Sequence, residues 1–238
     1  MNLYMPKQHG AWAMLVLPFL LGIIAGGFSW WQVPLLIGWI SLYLATYPLI
    51  MAVKKKKIEF HLSWFYKYIS VATLALLPVV IFNTTLFWVG LMMVPFFIIN
   101  IVFGKHNKDR SLWNDLSAIA AFSFSGMATY YLGSGSIDST AWLIVAIPIL
   151  FFTGSTLFVK TMIREKKNPA YRWISWGYHI FVVGLGAALG SWLLTVAFLP
   201  SLVRAVYLYG RKMKPMEMGI LEIGNSAVFL AIISISFF

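Results

Sequence analysis

The chain reads as long apolar runs broken by short polar stretches. A helix needs about 17 to 25 apolar residues to cross a bilayer, and nine such runs can be cut. They lie near 9–28, 32–53, 63–83, 85–104, 112–133, 140–163, 172–189, 191–210 and 216–237. The predicted fold class is therefore all-α: a polytopic transmembrane helix bundle of about nine spans, with 1–238 as a single transmembrane domain. The stretch from Gly177 to Gly210 has only Gly190 and Ser191 as punctuation. It is too long for one untilted span and is read as two helices with a tight turn. The first run, Ala11 to Phe28, exceeds a usual signal-peptide core and further spans follow it, so it is read as a retained helix.

Composition agrees with this pattern. Of 238 residues 61% are hydrophobic and 11% charged, with a mean hydropathy of +0.83; so much apolar surface cannot be hidden in one soluble core. No cysteine is present, which removes disulfides, thiolate metal sites and thiol nucleophiles.

The net charge of +11 has an explanation in topology. With the N-terminus inside, Lys54 to Lys57, the Lys105/Lys108/Arg110 stretch, Lys166/Lys167 and the Arg211/Lys212/Lys214 stretch fall on one side. "GGFSWWQ", "NTT", "GSGSIDS" and "GS" fall on the other. This is the positive-inside pattern, and it predicts a bacterial cytoplasmic membrane protein with a cytoplasmic N-terminus and an extracytoplasmic C-terminus. Trp30, Trp31 and Trp142 mark the outer boundary, and Trp64, Trp113 and Trp173 the inner one. Basic loops touch anionic headgroups, so membrane lipids are the expected partners; no nucleic-acid module is present.

Polar residues within the spans carry the candidate chemistry, because a charge at a helix centre costs roughly 2.5 to 3.5 kcal/mol on insertion scales. Glu222 lies about 9 Å into the ninth run at 1.5 Å per residue, with Asn225 and Gly219 on its face. It either serves a ligand or pairs with a basic residue of a neighbouring helix, and Arg204 is the expected partner by depth. Lys160 and Arg164 are four apart at the end of the sixth run, where two cations suit a phosphate or carboxylate but also complement the helix macrodipole. Ser111 and Asp109 are explained as capping residues of the fifth helix, and Asn114 and Asp115 stand in its first turn. His9 at the mouth of the first helix and His179 in the seventh can change charge near neutral pH. No His and carboxylate pair has metal-ligand spacing, so no metal site is expected, and the residues name no cofactor. The topology puts His9, Asn114, Asp115, Lys160, Glu222 and Asn225 at the inner helix ends, which suggests a cytoplasm-facing polar cavity.

The stretches "MPKQHGAWAMLVLPFLLG", "RSLWNDLSAI" and "GILEIGNSAVFLAI" resemble the YwiC-like family of bacterial integral membrane proteins over essentially the whole chain. That resemblance implies a class and no established activity. More distantly, nine helices with the N-terminus inside and the Pro18 to Gly22 turn are similar to the UbiA-type intramembrane prenyltransferases. Their two Asp-rich motifs correspond here to "YPLIMAVKKKKIEF" and "TLFVKTMIREKKNPAYR", both basic. The likeness therefore implies a scaffold on which Lys54, Lys160 and Arg164 neutralise an anionic headgroup without a metal.

Two functional classes follow, with a third beside them. One is a protein that binds an anionic amphiphile or isoprenoid-type lipid in the inner cavity, as a non-standard transferase or without catalysis. Another is a transporter or channel for a small solute or proton, using Glu222, His179 and Arg204 as a relay. The third is a structural partner of a membrane complex.

Overall fold

The computed structural model describes residues 4–5, 9–55 and 57–237, and for His9 the backbone alone. Its described residues form nine α-helices: α1 (His9–Gly26), α2 (Gln32–Val53), α3 (Ile58–Phe82), α4 (Thr85–Lys105), α5 (Leu112–Ser134), α6 (Ser139–Met162), α7 (Pro169–Ala188), α8 (Trp192–Tyr207) and α9 (Pro215–Ser234). The expected all-α class and nine helices are found among the described residues, and the long 177–210 stretch divides as expected. At that break Gly190 adopts φ +69°, open to glycine without the cost a side chain would incur. The Ser191 side chain then accepts from the Leu194 N–H at 3.3 Å to cap α8. Entry to α7 uses a similar device. Asn168 accepts from the Ala170 N–H at 3.2 Å, and Pro169 occupies the first turn, where its missing N–H costs nothing.

α2, α3, α4, α6 and α9 are long and apolar enough to cross a membrane, and α1 and α8 are shorter apolar helices. In α3 and α4 only 17% of the most apolar stretch is buried. Their outward side chains include Leu74, Leu77, Ile81, Phe87 and Trp88, all exposed. An apolar face of that extent is stable only against lipid, so the chain is a membrane protein.

The helices group into two compact units. The first comprises 18–145 with the N-terminal segment; the second comprises 9–17 with 146–238. In the first, α2 packs on α3 and α4 on α5. The second half of α1 meets α5 through glycines. A Cβ on Gly22 would fall 2.1 Å from the Gly126 carbonyl oxygen, and one on Gly26 would fall 2.5 Å from the Tyr130 carbonyl oxygen. Small residues let the two backbones approach so closely, and dispersion between them replaces the hydrophobic drive that lipid does not supply. Thr129 Oγ1 donates to the Phe19 carbonyl at 2.9 Å across this seam. Gln32, 1% exposed, secures the adjoining turn: its amide donates to the carbonyls of Gly27 and Thr129, each at 2.9 Å, while its oxygen accepts from the Ser29 N–H.

In the second unit α8 packs on α7 and α9. Phe151 stacks on Phe229 at 4.1 Å, with Phe198 beside it at 5.1 Å. Nearer the 208–214 loop, Phe158, Met162, Ala205 and Met218 form a buried cluster. Trp176 packs on that cluster and donates its indole N–H to the Ala205 carbonyl at 3.0 Å. This packing holds the polar groups described next.

Candidate functional site

Glu222 stands two turns into α9 and is 5% exposed, so water does not solvate its carboxylate. Its charge is met by Arg204 from the last turn of α8, whose Nη1 lies 2.5 Å from Oε1. The other carboxylate oxygen accepts from the Ser155 hydroxyl of α6. Both acceptor atoms are thus occupied, by groups from two other helices. The Arg204 guanidinium also sits 4.4 Å over the Phe158 ring, a favourable placement for a desolvated cation. Each charge alone is expensive at this depth; paired and hydrogen-bonded they are tolerated.

The pair leaves hydrogen-bonding capacity unspent. Arg204 Nε and Nη2 are buried with no partner among the described residues. On α7, His179 is 1% exposed, and its Nδ1 bonds the Ser175 carbonyl at 2.7 Å. A carbonyl only accepts, so Nδ1 carries the proton, and in the neutral ring Nε2 presents a lone pair. Nε2 is also buried without a partner. Gly154 makes room for it, since a Cβ there would lie 3.1 Å away.

Beside these groups a groove of about 500 Å³ runs along α8 and α9. Its walls include Val196, Leu199, Val203 and Tyr207 from α8 and Leu221 and Ile232 from α9. Among the described residues Arg204 is the one charged residue lining it. A second groove of about 410 Å³ between α4 and α5, lined by Phe96, Phe103, Trp113 and neighbours, has Ser117 as its polar contribution.

The residues singled out from the sequence separate by unit. Arg204 and Glu222 are paired as expected. Asn225, although on the Glu222 side of α9, turns to α8 and donates to Ser201 Oγ at 2.9 Å. Lys160 is 4% exposed in the last turn of α6, whereas Arg164 lies beyond the end of that helix and is exposed. The Arg164 N–H still bonds the Lys160 carbonyl at 3.1 Å, so the two cations stand one turn apart, one buried and one exposed. His9 opens α1 in this unit; its side chain, with Lys7 and Gln8, lies outside the described residues.

Lys54, Asn114 and Asp115 belong to the first unit. Lys54 Nζ is 2.6 Å from Asp109 Oδ2, so Asp109 is an ion-pair partner and not the cap its position suggested. Ser111 does hold the N-cap position of α5, but its side chain makes no capping bond. Asn114 instead ties the turn down, donating to the Asp109 carbonyl at 2.9 Å. Asp115 stands in the first turn of α5.

Ser155 was not singled out from the sequence. The signal available was the run Thr153, Gly154, Ser155, Thr156 in an otherwise apolar helix. Hydroxyls in such runs usually bond their own backbone, so the run does not by itself point across to α9.

Comparison with known proteins places the chain. The family model described as YwiC-like protein matches residues 5–130. The chain is 42% identical to "Uncharacterized protein YwiC" of Bacillus subtilis, over 98% of this chain and 97% of that protein. It is 37% identical to an "Uncharacterized protein" of Haemophilus influenzae, over 99% of each. No solved structure matches it. With both the family model and full-length relatives in agreement, the chain belongs to the YwiC-like family.

Proposed function

We propose that this protein binds an anionic amphiphile, with its apolar chain along the α8/α9 groove and its acidic head at the Arg204 end. The observation that carries this reading is a single cation in the wall of an apolar groove, with two of its nitrogens lacking an acceptor. Glu222 satisfies one edge of the guanidinium. The other edge is buried beneath the groove wall, so an acidic head reaches it through side-chain movement there, and a buried donor left unmatched costs about 1–3 kcal/mol. The residues from Val196 to Tyr207 span about 16 Å of helix, enough to lie against much of an acyl or isoprenoid chain. Ligand sites of this kind are apolar with a few placed polar groups.

The basic 208–214 loop puts the head end on the cytoplasmic side by the positive-inside rule, which also gives a cytoplasmic N-terminus in a bacterial cell membrane. The test is photocrosslinking of purified full-length protein with a diazirine-bearing fatty acid, followed by peptide mapping. Label concentrated on α8 and α9, and lost in Val203→Trp, supports the reading. Label spread over all apolar helices and unchanged in that variant overturns it.

A further inference from the structure

The segment joining α8 to α9 begins "YLYGRK", and its fold is specific. The Leu208 N–H bonds the Arg204 carbonyl at 3.1 Å, and the Arg211 N–H bonds the Leu208 carbonyl at 3.1 Å. Gly210 takes φ +79° to close this turn, a conformation that costs glycine little. The chain thereby doubles back, and the Arg211 guanidinium lies over the Tyr207 ring, 4.1 Å from its centroid. Tyr207 is itself part of the groove wall. A second guanidinium approaches the same segment from α7: Arg172 sits 4.5 Å over Trp173, 5.4 Å over Trp176 and 5.5 Å over Tyr209. Its Nε is buried with no partner among the described residues.

A guanidinium stacked on a ring has that face occupied, and its exposed N–H edges stay available to an acceptor. Those edges form a planar fork whose spacing matches two oxygens of a phosphate, which a lysine ammonium does not reproduce. Stacking also fixes a side chain that otherwise loses much rotamer freedom on binding. The aromatic platforms belong to a zone where tyrosine and tryptophan sit at headgroup level.

We propose that Arg211 on Tyr207, with Arg172 among Trp173, Trp176 and Tyr209, forms a headgroup-phosphate site, so that the occupant of the groove is a glycerophospholipid held by its phosphate. This rests on the groove reading above and deepens it by naming the ligand class. Arg204 lies one turn farther into α8 than Tyr207 and meets the polar atoms just below the phosphate; Arg211 and Arg172 meet the phosphate itself.

Diffuse attraction is the competing explanation, since any basic residue near an anionic surface draws anionic lipid. Lys212 lies next to Arg211 in sequence and is likewise exposed, and no aromatic stack is found for it among the described residues. It is the matched control.

The experiment is native mass spectrometry of full-length protein titrated with dioleoyl phosphatidylglycerol and with dioleoylglycerol, which has the same chains and no phosphate. The wild type should retain the phospholipid about tenfold better, the scale of one charge-assisted contact. Arg211→Gln and Arg172→Gln should bring that ratio toward one while dioleoylglycerol retention stays unchanged. Lys212→Gln should keep the wild-type ratio, and Val203→Trp, which fills the groove from an exposed position, should lose both lipids. An unchanged ratio in Arg211→Gln, or an equal drop in Lys212→Gln, overturns the phosphate site and leaves the groove reading intact. Retention of both lipids by Val203→Trp overturns the groove reading and this inference with it. Binding of inorganic phosphate by Val203→Trp with no lipid retained would make the site one for free phosphate and overturn the lipid assignment.

Discussion

Arg204 Nη1 and Glu222 Oε1 stand 2.5 Å apart, each residue about 5% exposed, in a segment where neither charge reaches water. The two charges cancel, so removing one is worse than removing both. Breaking a buried pair by deleting one partner costs about 3–5 kcal/mol, while replacing both partners is often close to neutral.

Arg204→Gln should therefore destabilise the detergent-purified protein more than the double variant Arg204→Gln/Glu222→Gln does. In the double variant two amides can still hydrogen-bond. Ser155→Ala removes one neutral donor and should cost about 1 kcal/mol or less, in line with hydrogen bonds measured within membranes. Thermal unfolding of the four proteins gives the comparison. A double variant that unfolds no later than Arg204→Gln alone would mean that the charges are not coupled.

The α1/α5 seam gives a second prediction. A Cβ at position 22 would lie 2.0 Å from Thr129 Oγ1 and 2.1 Å from the Gly126 carbonyl oxygen. The hydroxyl can rotate away, but the backbone oxygen cannot move without shifting a helix. Gly22→Ala should lower stability by at least the 1–3 kcal/mol typical of overpacking. Gly10, in the same helix, has nothing within 4 Å of its would-be Cβ. Gly10→Ala should be neutral or stabilising by up to about 1 kcal/mol through helix propensity. Equal behaviour of the two variants would refute the close-packed seam.

These two features differ in how far the sequence disclosed them. Helix limits were legible because apolar runs of spanning length end at Gly, Asn or charged residues, and Gly190 with Ser191 marked even the shortest turn. The Arg204 and Glu222 pairing was legible because two opposite charges at similar depth in adjacent helices have few other partners. The Gly22 and Gly126 contact was not, since glycine in an apolar run reads equally well as a kink, a turn or a lipid-facing residue. Lys54 shows the opposite error. It read as a headgroup cation from the likeness of its basic stretch to the place of an Asp-rich motif, while Asp109 read as a cap, and only the fold brings the two within 2.6 Å.

Asp138 supplies a pH-dependent prediction. It precedes α6, accepts from the Thr140 N–H at 2.8 Å and the Ala141 N–H at 3.2 Å, and receives the Tyr130 hydroxyl at 2.9 Å. The Tyr130 hydroxyl foremost, with the two N–H groups behind it, holds the carboxyl below its ordinary value. The folded state therefore binds the proton less readily than the unfolded chain. Its contribution to stability is fully present above the unfolded carboxylate value of about 3.9 and is lost as pH falls through the lower folded value. Asp138→Asn should unfold earlier than wild type at neutral pH, and the gap should close on acidification through that window. A gap that stays constant down to the lowest pH tolerated would show that the charge does not contribute.

Topology yields the last prediction. The chain has no cysteine, so single cysteines report their own side of the membrane without background. Lys212 and Ser136 are both exposed, the first in the basic segment before α9 and the second in the turn between α5 and α6. The distribution of Lys and Arg assigns the first to the cytoplasm and the second to the outside. In intact cells a membrane-impermeant maleimide should label Ser136→Cys and leave Lys212→Cys unlabelled until the cells are broken. The opposite pattern would invert the topology and put the Arg211 and Arg172 stacks against the outer leaflet. Labelling of both in intact cells would mean that an even number of crossings, and not the three of α6, α7 and α8 that the charge pattern requires, separates them. Because the phosphate-site assignment relies on stacked guanidinium groups at one end of α8 and not on the leaflet, an inverted result would change which lipids reach the groove while leaving its chemistry as described.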